Sequence, residues 1–135
     1  MRCIVAMVVT FVLVACRTAP DTRAQTAASP SVEYLLTSAA TDFQQHRPPY
    51  PAQFRDVRSG YVPASDGTRQ YLLCGEFLPV ERGGKTQWTP FVTIKTSGYE
   101  QYLGDQAAHF CKRSIIAWDN GDLSSSLQSR LDSLR

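Results

Sequence analysis

Charge of one sign is not in excess here: 14 Lys and Arg stand against 12 Asp and Glu in 135 residues. A net charge of +2 gives no clustered basic surface of the kind phosphate backbones need, so no nucleic-acid partner is expected. Histidine is scarce, with only His46 and His109. No Cys-x-x-Cys or His-x-x-x-His spacing accompanies them, whereas a structural zinc site needs four ligands. No Gly-x-Ser-x-Gly, P-loop, His-Glu-x-x-His or dinucleotide fingerprint occurs. There is no internal repeat, and the length suits one small domain. No apolar run reaches the ~20 residues that span a bilayer as a helix.

One shorter apolar run is present. Ile4 to Ala15 follows Met1-Arg2-Cys3 almost without a polar interruption, the pattern of a secretory signal rather than of a core helix. It ends in Leu13-Val14-Ala15-Cys16, which resembles the lipobox of bacterial lipoproteins. The resemblance implies a signal peptide over 1–15 and cleavage before Cys16. It also implies a covalent lipid on the Cys16 thiol, with acyl chains such as palmitate, and no other cofactor. Two or more chains anchor a protein firmly, where one binds marginally. Arg17 stands where the inner-membrane retention signal of such lipoproteins has Asp, which points to the outer membrane, facing the periplasm. The remaining 120 residues carry 13 basic and 12 acidic side chains, close to neutrality.

Residues 16–28 are polar and small and read as a lipidated, flexible tether. Cys74 and Cys111 then remain as an even pair in a compartment that permits disulfides. A bridge between them closes a loop of ~38 residues, for which the chain-entropy argument gives ~4 kcal/mol. Reactive thiols aided by His109, or a metal site, are the alternatives.

Ser29-Pro30 signals a helix start. Val32, Leu35, Leu36, Ala39 and Phe43 carry helical spacing to about Gln45. His46 to Pro51 contains three prolines and must end it. Phe54 to Val62 and Gln70 to Leu78 read as strands around Asp66-Gly67. Gly75 marks a bulge or a close backbone approach. Glu81 to Lys85 is the next turn, and Trp88 to Lys95 a third strand. Tyr99, Tyr102, Leu103, Ala107 and Phe110 suggest a second helix, which Gly104-Asp105 can interrupt. Ile115 to Trp118 suits a fourth strand or a core-covering segment. Leu123, Leu127, Leu131 and Leu134 predict a last helix with Asp122 as N-cap. The expectation is an α+β domain: an N-terminal helix, a three-stranded antiparallel meander, one or two C-terminal helices and one disulfide. The domain spans 29–118, with the terminal helix over 119–135.

Phe54-Arg55-Asp56-Val57-Arg58, Leu73-Cys74-Gly75-Glu76-Phe77 and Trp88-Thr89-Pro90-Phe91-Val92 occur in an order that resembles a known group. It is the core of small, functionally uncharacterised proteobacterial lipoproteins and secreted proteins, over about residues 50 to 95. The resemblance implies a compact α+β periplasmic domain and no particular reaction.

Candidates for acid–base chemistry are Glu76, Glu81, Asp105, His46 and His109. Glu76 on a central strand is the most interesting, although an ion pair with Arg55 or Arg58 accounts for it as well. Tyr50, Tyr61, Tyr71, Trp88, Tyr99, Tyr102 and Trp118 exceed what so small a core must bury, and Tyr and Trp are enriched at interfaces. Glu76, Trp88, Tyr99 and Tyr102 are therefore the candidate binding residues. The functional expectation is a membrane-anchored envelope lipoprotein with a non-catalytic binding or accessory domain and an envelope protein as partner. The alternatives are a periplasmic inhibitor or immunity-like binder of a hydrolase, and an enzyme, for which no motif speaks.

Overall fold

In the computed structural model, residues 28–46, 50–80 and 86–135 are described. The signal and lipobox, nearly all of the tether, the Pro48-Pro49 connector and the Glu81–Lys85 turn lie outside them. Among the described residues no helix is long and apolar enough to cross a membrane.

The chain is α+β. Helix α1 (Pro30–Gln45) precedes strands β1 (Pro51–Pro63), β2 (Arg69–Pro79), β3 (Thr89–Lys95) and β4 (Tyr99–Leu103). Helix α2 (Asp105–Cys111), the two-residue strand β5 (Ala117–Trp118) and helix α3 (Ser124–Ser133) follow. The sheet is antiparallel in the order β4-β3-β2-β1-β5. The expected three-stranded meander forms its centre, and one further strand is added on each side.

α1 starts where Ser29 Oγ accepts from the Val32 amide at 3.4 Å. Its apolar stripe is buried against one face of the sheet, which α3 also covers. Val57, Leu73, Phe77 and Phe91 supply the sheet side of this core. Phe43 meets Phe54, Phe77 and Phe91 edge to face, at centroid distances of 5.3, 5.0 and 5.3 Å. Phe77 and Phe91 are fully buried, each contributing ~1.5–3 kcal/mol by leaving water. The terminal helix is no appendage. Leu127 and Leu131 are fully buried in the same core, and Arg130 bonds both Glu33 and Thr37 of α1.

The other face carries a smaller core of Leu72, Cys74, Val92, Ile94, Ala107 and Ile116 beneath α2. The Cys74–Cys111 disulfide, with S–S 2.03 Å, ties α2 to β2.

The helix expected from Tyr99 to Phe110 is a strand followed by a shorter helix. Tyr99 to Leu103 pairs with β3, Tyr99 opposite Lys95 and Leu103 opposite Phe91. Gly104 at φ 73 then turns the chain into α2, a conformation that glycine adopts without cost. Ladder hydrogen bonds override the helical spacing of Tyr99, Tyr102 and Leu103. At the last helix the cap residue is Leu123, while Asp122 Oδ1 accepts from the Ser124 amide at 2.8 Å.

Candidate functional site

The site begins with an irregularity in β1. Arg55 lies opposite Glu76 and Arg58 opposite Cys74, so β1 advances three residues while β2 advances two. One residue is therefore extra, a β-bulge. Asp56 in the bulge takes φ 53, and among the described residues no other non-glycine side chain sits at positive φ. Asp and Asn tolerate this region better than most residues. Val57 turns into the large core and is fully buried.

Gly75 makes room for this arrangement. A Cβ there would lie 2.7 Å from Val57 Cγ2 and 2.9 Å from Phe91 Cε1. The bulge has a second effect. Strand alternation sends residues i and i+3 to opposite faces, but the extra residue returns Arg58 to the face of Arg55. Both arginines thus emerge beside the disulfide.

Each then stacks on a tryptophan. The Arg55 guanidinium lies 4.2 Å from the Trp88 ring centroid, and that of Arg58 lies 4.5 Å from Trp118. Trp118 comes from β5, which pairs with β1 at Gly60. A Cβ at Gly60 would stand 2.9 Å from Trp118 Cε3, so glycine lets the ring lie against the strand. The chain beyond β5 is fastened to the same edge. Ser59 Oγ donates to Asp119 Oδ2 at 2.8 Å, and the Leu123 amide donates to Val57 O at 2.7 Å.

Beside the Arg58–Trp118 pair lies a cleft of about 190 Å³. Its lining includes both cysteines, Gly75, Pro90, Ala108 and Trp118, with Asp56, Arg58, Glu76 and Lys112 as the charged groups. The surface is mainly apolar with a charged rim. Glu76 Oε2 accepts from Arg55 Nε at 2.7 Å, and its side chain is 30% exposed. Among the described residues no carboxylate forms an ion pair with Arg58 or Lys112. A second, larger cleft of about 550 Å³ adjoins Asp56 and Arg58 on the side of Gly121 and Asp122. Ser124 holds the Asp122 carboxyl below the usual aspartate range through its hydroxyl and then its amide.

No family model, curated protein or solved structure matches this chain. Function is therefore argued from the site.

Of the residues selected from sequence, Glu76 lines the cleft and Trp88 stands beside it, joined through Arg55. Tyr102 shares that face but stacks on Phe110 of α2 at 5.5 Å. Its hydroxyl donates to Glu100 at 2.8 Å, and this bond, with some desolvation, raises its pKa. Tyr99 is on the opposite face, donating to Asp42 of α1 at 3.1 Å. Burial first, then the Asp42 charge, raises its pKa. Neither tyrosine lines the cleft.

Cys74 and Cys111 are both in the disulfide, so the reactive-thiol and metal alternatives do not describe this oxidised state. His109 is exposed on α2, outside the cleft lining. His46 pairs with Asp42 at 3.1 Å, one turn away on α1. Asp105 opens α2, and Glu81 lies outside the described residues. Among the described residues no group of three or more His, Cys, Asp or Glu is placed to hold a metal ion. Asp56, Arg58, Lys112 and Trp118 line the cleft without having been among the candidate binding residues. Their advance signals were the aromatic excess that included Trp118 and the break in pattern at Gly75.

Proposed function

We propose that the chain is an envelope lipoprotein, anchored through Cys16, whose disulfide-bonded domain binds an envelope protein through the cleft beside Cys74–Cys111. The anchor rests on the resemblance of Leu13-Val14-Ala15-Cys16 to a lipobox, and Arg17 favours the outer membrane. The binding role rests on one observation: the bulge at Asp56 brings Arg58, stacked on Trp118, to the wall of an apolar cleft, with the Arg55–Trp88 pair on the same face of the sheet. Arg and Trp are the side chains that most often dominate protein interfaces when they surround a desolvated pocket. Stacking also holds each guanidinium in place before a partner arrives, which lowers the ordering cost of binding. Within the cleft, Glu76 is engaged by Arg55 and the two thiols by each other.

Metabolic labelling with a fatty acid tests the anchor. Label should enter the wild-type chain and be lost in Cys16→Ala, with the protein leaving the membrane fraction. Labelling that survives Cys16→Ala contradicts the anchor. Binding is tested separately, by crosslinking from the cleft in the native envelope.

A further inference from the structure

The cleft also carries an unbalanced charge pattern, and it specifies a ligand. Glu76 is neutralised by Arg55 at 2.7 Å. Asp56 also lines the cleft, but its side chain is 76% exposed and lies 3.9 Å from the same arginine, so three cations face two carboxylates. Arg58 and Lys112 have no carboxylate in ion-pair reach among the described residues. They come from different elements, β1 and the end of α2, and both line the cleft. Arg58 is held by Trp118 through its π face. Such a stack leaves the in-plane N–H donors of a guanidinium available, and these match a carboxylate fork to fork.

The floor is apolar and small. Its volume of about 190 Å³ is below the ~300–1,000 Å³ of ordinary small-molecule sites. One small side chain fits; a large cofactor does not. One residue that carries both an apolar group and a carboxylate matches such a space. In a polypeptide both stand on the same Cα only at the carboxy terminus. An internal acid beside an apolar neighbour would need two residues.

We propose that the cleft seats the carboxy-terminal residue of a partner polypeptide, its small apolar side chain against the disulfide and its carboxylate on Arg58 and Lys112. This rests on the cleft being a binding site and names what it binds. The Arg55–Glu76 pair sets the border of the site, because Glu76 would repel the incoming carboxylate if Arg55 did not neutralise it.

The test uses the full chain in detergent micelles with the disulfide intact. The probes are N-acetyl-Ala-Ala-Leu as the free acid and as its uncharged amide, and tryptophan fluorescence reports binding. The acid should bind at least about tenfold tighter than the amide, as charge-assisted hydrogen bonds require. Arg58→Gln and Lys112→Gln should each weaken the acid about tenfold while leaving the amide unchanged. The acid–amide comparison on the wild-type chain needs no variant, so a folding defect cannot decide it. Equal binding of acid and amide, or saturation by neither up to about millimolar concentration, overturns the proposal. Crosslinking from position 108, which lines the cleft and leaves Trp118 in place, separates the two levels. A single crosslinked partner together with indifference to the carboxylate removes only this inference. No partner at position 108 removes the binding role as well.

Discussion

Arg55 and Arg58 are three positions apart on one strand and yet stand on the same face of the sheet. A regular strand forbids this, because its side chains alternate. The bulge at Asp56 permits it, and Gly75 on the neighbouring strand accommodates the buried Val57 that results. Backbone geometry in two strands therefore assembles the cleft rim. The consequences for stability and binding can be measured.

Gly75→Ala places a methyl group 2.7 Å from Val57 Cγ2 and 2.9 Å from Phe91 Cε1. Neither neighbour can retreat easily, since both are fully buried. Overpacking of this kind costs about 1–3 kcal/mol. Urea unfolding should show the midpoint falling by that loss divided by the slope, with the slope unchanged.

Asp56 answers to a different constraint. Asp56→Val puts a β-branched residue at φ 53 and should destabilise the domain by about 1–2 kcal/mol. Asp56→Gly removes the Cβ clash and should stay within about 1 kcal/mol of wild type, the entropy of glycine offsetting the relief. Equal losses for both variants would mean that the bulge conformation is not what position 56 contributes.

Replacing Cys74 and Cys111 together by serine frees α2 from β2. The loss should be about 2–5 kcal/mol, a large part of the ~5–15 kcal/mol that holds a domain folded. Thermal unfolding of the double variant, beside reduced and oxidised wild type, measures it. The reduced wild type should match the variant.

Asp66 supplies a pH-dependent contribution. Its carboxylate accepts from the Thr68 hydroxyl and amide, at 2.6 and 2.9 Å. These bonds, the hydroxyl first, lower its pKa below the usual aspartate value. A lowered carboxyl pKa favours folding above the unfolded value, and that help is lost as pH falls through the folded one. Thr68→Val should raise the Asp66 midpoint in an NMR titration. It should also destabilise the domain near neutrality, with variant and wild type converging in strong acid.

α1 was legible because Ser29-Pro30 and the spacing from Val32 to Phe43 point to the same answer. The disulfide followed from the even pair that remains once Cys16 is assigned to the expected lipid anchor. Tyr99 to Phe110 was misread because Tyr99, Tyr102 and Leu103 suit either period. Only pairing with β3, a long-range event, decides for a strand. The site was half visible. A carboxylate on a central strand drew attention to Glu76, and aromatic excess drew it to Trp88. Nothing local in Arg55-Asp56-Val57-Arg58 demands a bulge, so the joint position of the two arginines emerges only from the register with β2. Trp118 needed β5 to form against Gly60 before it could meet Arg58.

Site-specific photocrosslinking in the native envelope, with Cys16 intact, decides whether the cleft binds a protein. A crosslinker at position 108, inside the cleft, is compared with one at Ser126, exposed on α3, and with one at Ser125, also exposed there. One dominant protein adduct is expected from the cleft position, lost in Arg58→Gln, and none from positions 125 and 126. Adducts spread equally over all three positions, or absent from the cleft, would contradict the binding role.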